Sequence, residues 1–307
     1  LKPCVAVIDS PAGSTLLDAL EDLGVTRVDF ALISHADADH IQGVLALLTS
    51  QRISVGCLYL NPDRDRNTVA WRDLLSAVKV AERTHGFRTC TSLNTVTPGT
   101  LKIGGLTATV VSPSTALALS AVDGRAPEGG LNSANTLSAV IKVERAPDTG
   151  VLLAGDLDRV ALEDIKASGL NLKASALVYP HHGGLPGSVG TASFVHDLLN
   201  LVQPTSVYVS NGRNRHGNPR SEVVETITEY GCGLACTQMA RACGEPVSVA
   251  HLEKWPAAGR GVMHSCAGSI SLTLEATGAV RDAAGDASFR EFVATQVSTP
   301  MCIRTKH

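Results

Sequence analysis

The sequence predicts a layered α/β fold. Strand-like and helix-like segments alternate over the first ninety residues, the pattern of sheets covered by helices. Ala, Leu, Val and Gly dominate while aromatics make up only 4% of the chain, so the layers must pack through small and branched side chains. Beyond residue 100 the strand-like runs return in close succession, which argues against a purely doubly wound parallel sheet.

Each element has a local reason. "VAVID" (5–9) is a short apolar strand ending in Asp9, and "STLLDALEDLG" (14–24) has helical spacing between a Ser14 cap and a Gly24 stop. "VDFALIS" (28–34) is a buried strand, "HIQGVLALLTS" (40–50) a helix, "VGCLYLN" (55–61) a strand and "VAWRDLLSAVKVAERTHG" (69–86) a helix. Strands are then predicted in "LKIGGLTATVVSP" (101–113), "LSAVIKVE" (137–144) and "GVLLAGD" (150–156), with residues 114–134 a Ser/Ala/Gly/Pro loop lacking a clear period. "ALVYP", a helix near 191–201, "SVYVSNG" and a helix near 220–230 complete a core over residues 1–230. Residues 231–307 read as a C-terminal extension packed on that core, holding five of the eight cysteines and one probable strand, "CAGSISLTLEA"; some 75 residues with few aromatics make a marginal core of their own.

Bulk properties narrow the function. The net charge of −3 gives no global basic field for nucleic acid, so a nucleic-acid partner would need a local basic groove. No apolar run approaches the ~20 residues that span a bilayer, and no signal peptide is visible. A cytoplasmic protein is the expectation; because the chain opens at Leu1 and enters a strand almost at once, a preceding segment is expected too. Eight cysteines in a chain this long read more simply as reduced thiols than as a disulfide framework.

The chemistry concentrates at strand ends. "SHADADHIQG" (34–43) places His35, Asp37, Asp39 and His40 within six positions between a strand and a helix. As a plain loop, Asp39 would cap the helix, but four potential ligands with Ala spacers suit an ion better. "VLLAGDLD" ends a strand at Asp156, and "ALVYPHHGG" ends one at His181 and His182. Each alone is ordinary turn chemistry; three such ends at one edge of a layered fold make a site. His85, His196, His251 and His307 lack ligand-rich company and read as structural. Cys232, Cys236, Cys243 and Cys266 with His264 have the elements of a structural zinc site, although packing thiols are the preferred reading because C-x3-C-x6-C is no standard knuckle.

Taken in order, "SHADADHIQG", "SANTLSAVIKV", "LLAGDLD", "YPHHGG" and "NRHGNPRSEVVETI" resemble the metallo-β-lactamase fold, and within it the ComEC-like branch, the hydrolase domain of DNA-uptake proteins and its free-standing relatives. The likeness runs from about Val5 to Ile227. Gln42 stands for a Gly common in the branch, and Asn218 for a His, with His216 two residues earlier. The resemblance implies an αββα sandwich with a metal cleft at one sheet edge. It implies two divalent ions, zinc or manganese, the first served by His35 and Asp37 and the second by Asp39, His40 and His181, with Asp156 bridging. Asp39, Asp156 and His182 would be the catalytic groups around a metal-bound hydroxide, and Asn135, Arg213, Asn214, His216 and Asn218 would face the substrate.

The reaction this implies is phosphodiester hydrolysis, as by a phosphodiesterase or nuclease. Arg213, Arg215 and Arg220 form a local basic strip suited to phosphate oxygens. The alternatives are hydrolysis of a carbon ester, lactam or thioester, since the fold hosts many chemistries, and a catalytically degenerate metal-binding module. Oligomeric state is not legible.

Overall fold

The structure is a computed structural model, and it describes residues 3–13, 15–63, 67–84, 86–187, 190–212, 216–244 and 265–303. It divides into two compact units, Leu1–Ile141 with Gly155–Leu170, and Lys142–Ala154 with Asn171–His307. The boundary at residue 230 drawn from composition is therefore not where contacts divide the chain.

The first unit is built on a parallel sheet of β1 (Ala6–Ile8), β2 (Arg27–Leu32), β3 (Ser54–Tyr59) and β4 (Arg88–Cys90), side by side in that order. Register aligns Val7, Ala31 and Leu58 across it. Three helices accompany it: α1 (Thr15–Asp22), α2 (Ala38–Ser50) and α3 (Val69–Ala81), with α2 packed on both of the others and on β3. Ile41, Val44 and Leu47 of α2 are fully buried in one cluster with Val28, Leu58 and Leu74, the i, i+3, i+6 stripe an amphipathic helix needs. The β5 (Thr100–Ile103) and β6 (Leu106–Ser112) hairpin, α4 (Thr115–Ser120) and α5 (Arg159–Ser168) complete this unit, and β7 (Val140–Glu144) crosses the division after Ile141.

In the second unit β8 (Val151–Leu153), β9 (Ala176–Val178), β10 (Ser206–Val209) and β11 (Gly233–Cys236) run parallel in that order. One face presents Val151, Ala176, Tyr208 and Ala235 to Phe289, Phe292 and Val293 of α8 (Ala283–Gln296). The other presents the buried Leu152, Leu177, Val207 and Leu234. Two helices, α6 (Thr191–Val202) and α7 (Ser221–Tyr230), pack on each other, and α7 packs on β11. The hairpin of β12 (Leu272–Glu275) and β13 (Gly278–Arg281) precedes α8. Residues beyond 230 thus supply a strand and a core-forming helix to this unit.

Where structure and expectation part, the cause is local. The third helix ends at Ala81, not Gly86, because "ERTHG" offers no apolar residue and the chain tightens through Arg83 N–Val80 O (3.2 Å) and Thr84 N–Ala81 O (2.8 Å) turns. The 114–134 loop contains α4, whose start is fixed by Ser114 Oγ accepting from Leu117 N at 3.1 Å. β4 and β11 are short and lack a β-branched pair, so neither stands out in sequence. Ser14 and His85, a cap and a bland histidine in the sequence reading, lie outside the described residues, as do His251, His264 and His307.

Candidate metal centre

The site in the first unit begins where β2 stops. The chain continues through Ile33 and Ser34, turns at His35–Asp37 and enters α2 at Ala38. Asp37 occupies the N-cap position with extended backbone, yet its carboxylate makes no capping bond; its Oδ2 stands 3.8 Å from His35 Nε2 instead. Asp39 sits inside the first turn of α2, exposed, rather than at its cap, where a carboxylate is favoured by the helix dipole. One turn of backbone therefore buries His35 and His40, leaves Asp37 half-buried beside them, and sets Asp39 on the exposed side with a carboxylate oxygen within 4.8 Å of a His40 ring nitrogen.

His35, His40 and Asp156 are brought together, their ligand atoms all within 4.8 Å of one another. His35 and His40 are each 5% exposed and Asp156 3%, which is far from ordinary for three titratable groups in contact. Asp156 Oδ1 lies 3.3 Å from His40 Nε2 and its Oδ2 3.5 Å from His35 Nε2. The two rings stack at 4.2 Å between centroids, tilted by 54°. Both Nε2 atoms and the Asp156 carboxylate thus face one buried point, with Asp37 Oδ2 beside His35 at its margin. Among the described residues His35 Nε2 has no hydrogen-bond partner, a costly state for a buried polar atom. Two imidazoles and two carboxylates are a donor set that fits a zinc- or manganese-type ion, and an ion there would supply His35 Nε2 with its partner.

The electrostatics agree. Burial, and then the charge of His40, push the His35 pKa down to about 4. Burial also acts to lower His40, but its hydrogen bonds to Asp156 and Asp9 and their charges outweigh it and carry His40 up to about 10. In the metal-free chain one proton on the pair offsets the buried carboxylates; that positive charge is the role a bound cation takes over.

The outer faces of both rings are fixed. Asp9, at the end of β1, accepts from Ser34 N at 2.7 Å through Oδ1 and meets His40 Nδ1 at 2.9 Å through Oδ2. A carboxylate there keeps the proton on Nδ1 and turns Nε2 toward Asp156. His35 Nδ1 lies 3.1 Å from Ser34 Oγ and 3.3 Å from Ser138 Oγ, and Ser138 Oγ also accepts from Asp156 N at 3.0 Å. Two glycines allow this crowding. A Cβ on Gly43 would meet Ser10 Oγ at 2.0 Å and Pro11 O at 2.9 Å, and one on Gly155 would meet Ser138 Oγ at 2.5 Å. Gly43 N also donates to Ser10 O at 3.1 Å and Ser10 N to His40 O at 2.9 Å, so the loop after Asp9 is stitched to α2 at its closest approach. A Gly43→Ala protein is expected to push that loop off α2, withdraw Asp9 from His40 and weaken metal binding about 10–100-fold, read by competition with a metallochromic chelator; unchanged affinity would deny the loop its positioning role.

Asp9, Ser34, Ser138 and Gly43 were not among the residues the sequence selected for the site. The available signal for Asp9 was that "VAVID", like "LLAGD", is a strand ending in Asp. Asn135, which was selected, instead lies in the turn that carries Ser138, its carbonyl accepting from Ser138 N at 3.1 Å. That turn is pinned by Asp158, which caps α5 at Ala161 N (3.0 Å) and accepts from Thr136 Oγ1 (2.5 Å) and Ser133 Oγ (3.1 Å).

His181 and His182 belong to the second unit, in a 3-10 turn at Pro180–Gly183 after β9. His181, His182 and Gly183 take φ of 51°, 54° and 79° in succession. Two non-glycine residues in the left-handed region cost on the order of 1–3 kcal/mol each and persist only when the surroundings over-determine them. Here Arg220 N donates to Gly183 O at 2.9 Å, Asn218 Nδ2 to His181 O at 3.4 Å, and His182 Nδ1 to Ser210 O at 2.6 Å. A carbonyl only accepts, so His182 carries its proton on Nδ1 and its lone pair on Nε2. Asn218 is thus a brace of this turn, and His216 is exposed nearby in sequence. Arg213, Asn214 and Arg215 lie outside the described residues.

No protein-family profile matches the chain. The chain is 24% identical over 220 residues to ComE operon protein 3 of Bacillus subtilis (strain 168), a match covering 70% of this chain and 24% of that protein; the chain spans about a quarter of the length of this curated relative. Among solved structures it is similar to the metallo-β-lactamase fold protein YhfI from Bacillus subtilis, at 12% identity and a TM-score of 0.45, over 75% of this chain and 83% of that one. It is also similar to a diphosphatase of the PhnP family, at 13% identity and a TM-score of 0.34, over 66% and 67%. Among the described residues no helix is long and apolar enough to cross a membrane.

Proposed function

We propose that the chain is a metal-dependent hydrolase acting on phosphodiesters, with two divalent ions, zinc or manganese, as cofactors. The observation that carries the metal reading is the buried convergence of His35 Nε2, His40 Nε2 and the Asp156 carboxylate. The phosphodiester class rests on the ordered motifs, which resemble the hydrolase domain of DNA-uptake proteins, and on the similarity to ComE operon protein 3.

Divalent ions at such a centre supply Lewis acidity and lower the pKa of water toward neutrality. The chain's residues then have distinct tasks. His35, His40 and Asp156 hold metal, and Asp37 adds an oxygen donor beside His35. Asp9 and Ser138 fix the ring orientations from behind. Asp39 and His181 serve as further ligands, and Asp39 and His182 as catalytic groups beside Asp156, on the strength of the motif order; Arg213, Asn214, His216, Asn218 and Asn135 are the proposed substrate-side groups on the same basis. Asp37 offers the first ion a hard oxygen rather than a nitrogen, which favours Mn²⁺ relative to Zn²⁺ there.

Chelator-stripped protein assayed with a bis-nitrophenyl phosphate, DNA and a chromogenic lactam tests this reading. Turnover of the phosphodiesters, restored best by Mn²⁺, is expected, and Asp37→His should move the preference toward zinc. Turnover of the lactam alone would make the protein a carbon-centred hydrolase. Tight metal binding with no turnover would make it a binding module.

A further inference from the structure

The second unit holds a group of thiols that the hydrolytic reading does not use. Cys236 closes β11, and the chain from Ser265 to Ala267 lies antiparallel beside it. Ala267 N donates to Cys236 O at 2.8 Å, Cys266 N to Thr237 O at 3.0 Å, and Gln238 bridges Ser265. Cys243 ends a 3-10 turn (Arg241–Cys243) that is tied to the segment after α8, with Thr299 N donating to Cys243 O at 3.3 Å and Thr299 Oγ1 to Ala242 O at 2.9 Å. Cys302 follows three residues later. Cys266 is buried in the α8 core, with Cys243 and Cys302 packed against it. Four backbone segments thus deliver one cysteine each to the same small region, while Cys232 stands apart, its thiol donating to Pro204 O at 3.0 Å.

We propose that Cys236, Cys243, Cys266 and Cys302 form a structural zinc site. The set differs from the one suggested by spacing: Cys302 replaces Cys232, and His264 lies outside the described residues. No disulfide joins any of the four. They are separated in sequence by 6, 22 and 35 residues, so one tetrahedral ion would close three loops, the longest of which carry the greatest closure entropy. Among the described residues the regular structure of this region is one edge strand, a 3-10 turn, a hairpin and α8, and small segments of this kind gain stability from metals or disulfides. Burial raises the thiols of Cys236, Cys266 and Cys302, and each would be raised further by the others' charge. A divalent cation removes that conflict by coordinating thiolates, and Arg281 already favours the Cys266 thiolate. The sulfurs are not drawn to one point as the His35, His40 and Asp156 atoms are, so binding requires rotation of cysteine side chains.

The test uses the full chain expressed with zinc and titrated with an organomercurial while a metallochromic dye reads released zinc. Thiol capture displaces zinc from thiolates and leaves His and Asp ligands untouched. One zinc per chain is expected to appear as the thiols react, with the same yield from an Asp156→Ala protein and none from a Cys302→Ser protein. X-ray absorption at the zinc edge should show Zn–S distances of about 2.3 Å. Thiols that titrate without releasing zinc, or an intact mass under non-reducing conditions lower by paired disulfides, would overturn the assignment, and neither result bears on the hydrolytic centre.

Discussion

An Asp156→Ala protein is expected to lose hydrolysis with every divalent ion. Asp156 is the group both imidazoles address, one with each carboxylate oxygen. Removing it leaves His35 and His40 without the anion that sets their spacing, and a centre reduced to two nitrogens and the 3.8 Å carboxylate of Asp37. Its Ala substitute keeps the backbone N–H that Ser138 receives, so circular dichroism should show a folded chain. Metal at this centre should fall to background, and activity should not return at any ion concentration. Wild-type hydrolysis by this variant would rule out the mechanism for any substrate.

The second large effect is expected at a residue that touches no ion. Asp9→Ala removes the 2.9 Å partner of His40 Nδ1 and the acceptor of Ser34 N together. The ring is then released to rotate or to place its lone pair on the wrong nitrogen. Loss of such an outer partner costs about 10–100-fold in metal affinity or activity. Asp9→Asn keeps an acceptor for Ser34 N and should retain the loop, so its loss isolates the charge on His40 from the position of the backbone. Metal dissociation constants for the two variants, measured by chelator competition, separate these contributions. Equal affinity in Asp9→Ala and wild type would show that His40 is oriented without it.

Part of this site was legible in the sequence and part was not, for physical reasons. His35, Asp37 and His40 announce themselves because ligand density in six positions has no cheap structural explanation. Asp156 needed company, since a single Asp after a strand is ordinary turn chemistry, and only its place in an ordered set marked it. Asp9 had the same local appearance without a motif, and what distinguishes it is the pairing of β1 with β2, which sets Ile8 opposite Leu32 and so puts Asp9 level with the turn to His35. The glycine at 43 was visible as a motif position, but its reason, room for Ser10 and Pro11, exists only in three dimensions. The second unit tells the same story. Phe289, Phe292 and Val293 keep the i, i+3, i+4 spacing of a helix, yet the sequence reading named only a strand in this extension, and the grouping of Cys302 with Cys236 depends on chain segments 66 residues apart in sequence.

The most direct measurement is anomalous scattering from crystals of the chain grown with Mn²⁺, with data collected on both sides of the manganese edge. The account predicts a manganese peak bounded by His35 Nε2, His40 Nε2 and the Asp156 carboxylate, with Asp37 within reach of it. Manganese sites elsewhere, with these three side chains left as they stand in the metal-free chain, would contradict it.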